Sequence, residues 1–208
     1  NLAINKDAVL TQALANEGEI INSPILKNEL GYNPAINFPA FNAEKANQIL
    51  DKNWKKIQPE DFFKTEYDTA LKARQNELDA TKKNTSTPAE ELAAETEKIT
   101  KSASDSIRQD MDAEQSFYRK NTKASGEILA ITITTADTPE YQQVAQSVAK
   151  MWRAVGVKTK IQIVNSSQIS KDILRERNYQ ALLYGEIVGS DPDPYPFWHS
   201  SQISYPGL

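Results

Sequence analysis

The apolar positions change their period along the chain. Leu2, Ala8, Val9 and Ala13 fall roughly on one face of a helix within residues 1–15, and Gly18 breaks that pattern. Ile20–Ala43 carries Pro24, Pro34 and Pro39 among several asparagines and reads as an extended loop. A short helix follows, with Asn42 placed as N-cap, Glu44 in the first turn and Ala46, Ile49 and Leu50 on its apolar face. Asn53 suits its end, because asparagine tolerates the left-handed conformation that closes helices, and Trp54 is expected to pack back on it.

No glycine occurs between Gly31 and Gly126, and Pro88 alone interrupts Glu60–Lys123. Phe63, Tyr67, Ala70, Arg74 and Leu78 step by three or four. Leu92, Thr96, Ile99, Ala103, Ile107, Met111 and Phe117 do nearly the same. Two long helices are predicted, with Thr87 as cap and Pro88 at the first position of the second. Their apolar seam is thin and rich in Ala and Thr. It suits pairing of the two arms better than the core of a domain.

After Gly126 the period drops to two. Leu129, Ile131 and Ile133 alternate with Ala130, Thr132 and Thr134, as in a strand. Thr138-Pro139-Glu140 opens a helix with Val144, Val148, Met151, Trp152 and Val155 as its buried stripe, and Gly156 stops it. Val157–Val164 is a second strand, Asn165–Glu176 holds a further helix around Ile169, Ile173 and Leu174, and Tyr179–Ile187 is a third strand. The order β-α-β-α-β predicts an open α/β sheet with right-handed crossovers. The domain reading is a discontinuous α/β lobe, 1–58 and 127–208, with a helical hairpin inserted at 59–126.

Charge and composition narrow the function classes. Twenty-four Lys and Arg against 28 Asp and Glu give a net charge of −4, so there is no electrostatic case for nucleic acid. The basic residues are scattered, which leaves attraction to a membrane surface unsupported. No apolar run approaches the roughly 20 residues that span a bilayer. The absence of cysteine excludes disulfides and thiolate chemistry. No secretory leader is visible, and Asn1 reads as starting partway into a helix, so the expectation is a fragment of a longer polypeptide.

Candidate chemistry gathers after the third strand, where Gly185–Gln202 is acidic, aromatic and stiffened by proline. Ligands of open α/β sheets bind at the carboxyl ends of strands, and binding residues concentrate on loops held by a rigid scaffold. Glu186 is either a buried charge needing a cationic partner, on a ligand or on the protein, or a solvent-facing residue at the strand end. Asp191 and Asp193 either stiffen and cap a turn or face a cationic ligand group. The surrounding prolines argue against a calcium loop of the helix–loop–helix kind. His199 is the lone imidazole. Ser200 beside it in sequence does not make a triad, so a packing residue and a ligand contact are the readings retained. Trp198, among prolines, is the tryptophan best placed to line a cleft. No P-loop, GxGxxG, HExxH or GxSxG motif is present, and no nucleophile–base pair or metal cluster is assembled, so neither an enzyme nor a cofactor is expected.

Several segments, in order, resemble the extracellular solute-binding proteins of ABC importers, in the peptide-binding family often called family 5. Asn1–Leu10 is similar to that family's "AIDKDALV" helix, Asn22-Ser23-Pro24-Ile25 to its "SP(I/L)P" loop, and Phe41–Leu50 to its "YDPEKAKKLL" helix. Ile131–Asp137 with Gln143–Gln146 resembles "LTLTTxD…xxVAQ", and Val155-Gly156-Val157-Lys158 resembles "xGIKV". Asp191-Pro192-Asp193-Pro194 and Trp198-His199-Ser200 resemble "DPDP…FWHS". The resemblance implies a C-terminal lobe of the type II periplasmic-binding-protein kind. Such a lobe captures a peptide or similar small solute against an N-terminal lobe lying outside these residues, and hands it to a membrane permease. It also implies an extracytoplasmic, lipid-anchored setting and a ligand site over Glu186, Ile187, Val188, Gly189, Asp191, Asp193, Trp198 and His199. A "GW-x-x-D" pattern that places an aspartate on a peptide's α-amine would fall on Gly185–Gly189. Glu186 stands at its Trp position and Gly189 at its Asp position, and Asp191 or Glu186 is left as the substitute. The hairpin is a second departure. It leaves open an alternative, an interaction module in which the hairpin docks a partner protein.

Overall fold

A computed structural model describes residues 1–27, 29–36, 38–82, 89–123, 126–188, 193, 195 and 199–203. The chain forms two compact units, Asn1–Lys52 with Ala130–Leu208, and Asn53–Leu129.

The first unit is built on a parallel three-stranded sheet. Its strands are β3 (Ala130–Ala136), β4 (Lys158–Val164) and β5 (Ala181–Leu183), in the spatial order β4-β3-β5. β3 pairs with all of β4, from Ala130 opposite Lys158 to Ala136 opposite Val164, and with β5 only from Ile133 to Thr135. The predicted third strand, Tyr179–Ile187, is therefore corrected to three residues. The Gln180 side chain occupies the next ladder position, where its Oε1 accepts from the Thr132 N–H at 2.7 Å. Glu186 thus lies beyond the strand instead of within it.

The central strand is covered on both faces. Ile133, Thr134, Thr135 and Ala136 are all buried, and the Thr135 hydroxyl donates to the Leu183 carbonyl at 3.1 Å, satisfying its buried polar group. α5 (Pro139–Arg153) packs on this sheet through Ala145 and Ala149, both 0% exposed, which meet Ile133. Val148, Trp152, Ile161 and Leu183 close around them. The expected stripe of large residues is therefore centred on alanines, because small side chains let the helix axis approach the sheet. Val144, Val148, Met151 and Trp152 are only half-buried at its flanks. Thr138 is the N-cap and Pro139 opens the helix as predicted, but the Thr138 side chain makes no capping bond.

α1 (Lys6–Ala13) is capped by Asn5, whose Oδ1 accepts from the Ala8 N–H, and its Ala13 is buried. The Asn5 N–H donates to the Met151 sulfur at 3.3 Å, joining this helix to α5. α2 (Ala43–Leu50) takes the predicted Asn42 cap, with the Lys45 N–H at 2.7 Å from Asn42 Oδ1. Ala46 is its buried residue, whereas Ile49 is exposed. The helix predicted over Asn165–Glu176 is a three-residue turn, α6 (Ser166–Gln168), running into a π-helical segment, Ile169–Leu174, that buries Ile169 and Ile173.

The second unit holds the two long helices, α3 (Pro59–Lys82) and α4 (Ala89–Asp110), lying along each other. It also holds an antiparallel ribbon that the apolar pattern does not indicate. β1 (Trp54–Ile57) pairs with β2 (Tyr118–Asn121), Trp54 opposite Asn121 and Ile57 opposite Tyr118. Trp54 is accordingly a strand residue. The ribbon is backed by Phe62 and Tyr118, almost wholly buried and stacked with ring centroids 3.9 Å apart. Arg119, also fully buried, donates from Nη1 to the Trp54 carbonyl at 3.1 Å.

Candidate functional site

The carboxyl ends of the parallel strands in the first unit carry two groups of polar residues, after β3 and after β5, and a third group lies farther along the chain, between Asp193 and Gln202. The first is Asp137, immediately after β3. Its carboxylate accepts from the Ser166 hydroxyl, from the Ser166 N–H at 3.1 Å and from Asn165 Nδ2 at 3.1 Å. The Asn165 Oδ1 in turn accepts from the Ser167 N–H at 3.0 Å. The turn after β3 is thereby tied to the turn after β4. The Ser166 hydroxyl, then the Ser166 N–H, hold the Asp137 carboxyl below its ordinary range.

The second group follows β5. Gly185 is approached by the ring of Tyr141 from the first turn of α5: a methyl group added at Gly185 would lie 1.9 Å from the tyrosine hydroxyl oxygen. Glu186 comes next and is half-buried. Burial pushes its carboxyl above the ordinary carboxylate range. Among the described residues it has neither a hydrogen-bond nor an ion-pair partner. Ile187 is 94% exposed and Val188 is exposed as well.

The third group is local to the acidic and aromatic stretch. Asp193 Oδ1 accepts from the Tyr195 N–H at 3.0 Å, the turn-capping role open to it from sequence. Tyr195 stacks on His199 with centroids 4.6 Å apart, and its hydroxyl is 3.0 Å from Ser201 Oγ. Hydrogen bonding with Ser201, then with Gln202, holds the Tyr195 phenol below its usual range. His199 Nδ1 lies 2.9 Å from Ser201 Oγ and accepts from the Ser201 N–H at 3.2 Å, capping the 3-10 turn Ser200–Gln202. The histidine's hydroxyl partner is therefore Ser201, not Ser200. Asp193 is engaged with the Tyr195 backbone N–H, and no carboxylate among the described residues is hydrogen-bonded to the imidazole. Gly189, Asp191 and Trp198 lie outside the described residues. Among those described, no group of three or more His, Asp or Glu could hold a metal ion.

Of the predicted site residues, Glu186, Ile187 and Val188 thus form one continuous exit from β5, and Asp193 and His199 belong to a self-satisfied turn. Tyr141 was not singled out from sequence. Its signal is faint: an aromatic residue in the first turn of a helix that starts at the carboxyl end of a strand.

No family model matches the chain, and no curated protein does. Among solved structures, the oligopeptide-binding protein AppA from Bacillus subtilis, in complex with a nonapeptide, superposes with a TM-score of 0.58 at 19% identity. The likeness establishes a shared fold. It covers 100% of this chain and 30% of that one, so the chain spans less than a third of that protein. The α/β architecture expected from the strand and helix order is present.

Proposed function

We propose that the chain is the ligand-capturing lobe of a solute-binding component of an ABC importer, taking up a peptide or a similar small solute outside the cytoplasm. The observation that carries this reading is the likeness of the whole chain to part of a peptide-binding protein. The chemistry after β5 supports it. A partly desolvated carboxylate with no partner among the described residues, on the strand-end turn where open α/β sheets bind ligands, suits an ammonium or guanidinium group. In this reading a second lobe of the same polypeptide closes the cleft, Glu186 takes the amine-recognising role that Gly189 cannot, and a membrane permease receives the solute.

The test is native mass spectrometry of the full-length gene product, purified without denaturant, followed by titration with a nonapeptide pool. Retained or titratable peptide is expected. Glu186→Gln should weaken binding of amine-bearing peptides by roughly 10- to 150-fold, the worth of a hydrogen bond to a charged group. Affinity should also fall as pH drops through the raised Glu186 pKa, because only the carboxylate attracts the cation. A full-length product that retains and binds no peptide overturns the proposal.

A further inference from the structure

Three features meet where the chain leaves β5. The strand is short, with only Ala181–Leu183 in the ladder, so hydrogen bonding to β3 does not hold residues 184–188. Gly185 is half-buried and in close contact with Tyr141: an added Cβ would lie 1.9 Å from the hydroxyl oxygen, 3.0 Å from Cζ and 3.5 Å from Cε1. Separations of 1.9 Å do not occur between non-bonded heavy atoms, so the site accepts no side chain without movement of the ring or the turn. Finally, Tyr141 is anchored at its other end. It belongs to the first turn of α5, the helix whose Ala145 and Ala149 are locked against β3.

We infer that Tyr141 is a positioning residue for the candidate ligand site: its ring seats the turn at Gly185 and so fixes where Glu186 presents its carboxylate. A tyrosine has two side-chain torsions and a rigid ring, so it makes a stiffer seat than an aliphatic chain. The half-buried setting of Glu186 follows from that seat, since a turn lifted off Tyr141 would return the carboxylate to water. The ligand role of Glu186 rests on the function proposed above, whereas the seating of the turn does not, and the two can be tested apart.

The experiment uses the 208-residue chain without ligand and compares wild type, Gly185→Ala, Tyr141→Phe and the double variant. Thermal melting of each checks that it folds. Two readouts report the turn: amide hydrogen exchange over residues 184–188 and the NMR titration of the Glu186 carboxyl. Gly185→Ala should speed exchange there by roughly tenfold, within the range of coupling seen for residues in contact. It should also bring the Glu186 titration down toward the ordinary value. Tyr141→Phe alone should leave both near wild type, because the ring remains. Combined with Gly185→Ala it should restore most of the loss, because it removes the atom nearest the new methyl group. A Gly185→Ala variant indistinguishable from wild type overturns the inference, as does a double variant no better than Gly185→Ala alone. Nonapeptide binding by full-length protein carrying the same substitutions then reads the functional proposal. Wild type that binds no peptide defeats that proposal, while the seat still stands or falls on exchange and titration.

Discussion

Two adjacent phenylalanines provide a direct test of where the second unit draws its stability. Phe62 is 0% exposed and stacked 3.9 Å from Tyr118, whereas Phe63 is half-exposed, stacked 5.7 Å from Tyr67 and covered by the Arg108 guanidinium at 4.4 Å. Burying a phenylalanine contributes about 1.5–3 kcal/mol, and an aromatic pair adds about 0.5–1.5 kcal/mol. The cavity left by truncation brings Phe62→Ala to about 3–5 kcal/mol. Phe63→Ala loses partial burial and an exposed cation–π contact of about 0.5–1 kcal/mol, so its total should stay near 1–2 kcal/mol. The assay is urea denaturation followed by amide exchange of Lys55–Ile57 and Arg119–Lys120, which report the ribbon. A whole domain is stable by only about 5–15 kcal/mol, so Phe62→Ala should leave the ribbon close to unprotected while Phe63→Ala leaves it folded. Equal losses for the two variants, or a loss below about 1 kcal/mol for Phe62→Ala, would refute the assignment of the unit's core to the ribbon face.

Two further outcomes are expected in the first unit. The Asp137 carboxyl is held below its usual pKa by Ser166, so its stabilising effect is present above the unfolded value of 3.8 and is lost as pH falls through the folded one. Wild type should therefore exceed Asp137→Ala in thermal stability by a constant margin from neutral pH down to about 4. That margin should close below it, and one that closes near neutrality would contradict the clasp. Ala145→Leu forces a larger side chain into the fully buried contact between α5 and Ile133 and should cost about 1–3 kcal/mol in a denaturant titration. A neutral effect would show that the helix–sheet seam is loose.

Local signals carried much of the first unit. Asn42 caps α2 where side-chain oxygen and helix start coincide in sequence, and the period-two run over Leu129–Thr134 appears as the central strand, Ala130–Ala136. Three things were not legible, for separate physical reasons. The burial of α5 through Ala145 and Ala149 depends on how closely helix and sheet approach, and a hydrophobicity pattern favours Val144 and Trp152 instead. The ribbon of Trp54–Ile57 with Tyr118–Asn121 joins residues far apart in sequence, and Trp-Lys-Lys-Ile and Tyr-Arg-Lys-Asn carry no alternation clear enough to mark strands. The length of β5 is set by its partner: Tyr179–Ile187 is apolar enough for a longer strand, but β3 pairs with three of its residues. Within the candidate site, Glu186 stood out because a carboxylate after an apolar run is chemically conspicuous. Tyr141 did not, because its importance lies in one close approach to Gly185 across the fold.

The thin seam of the long helices and the dense face of the ribbon are two halves of one arrangement. A two-stranded ribbon is at best marginal alone, and helices in proteins owe most of their stability to tertiary packing. Here β1 runs directly into the first helix, ending at Ile57 with α3 starting at Pro59, and β2 begins at Tyr118 after α4 ends at Asp110. The aromatic pair that backs the ribbon takes one ring from each: Phe62 from the first turn of α3 and Tyr118 from β2. Glu60 and Asp61 sit in that same first turn, where negative charge favours the helix start. The buried Arg119 guanidinium ties β2 back to the Trp54 carbonyl, and both the N–H and the hydroxyl of Thr122 bond the Asn53 carbonyl at 3.0 Å. These bonds bring the two ends of the unit together, so its closure does not depend on the distal length of the helices. That is why Leu71 and Ile99, farther along the arms, can line a groove of about 310 Å³ in place of a filled core. The helices are held from their base, and the sequence there can stay apolar over a few residues while the arms remain polar for most of their length.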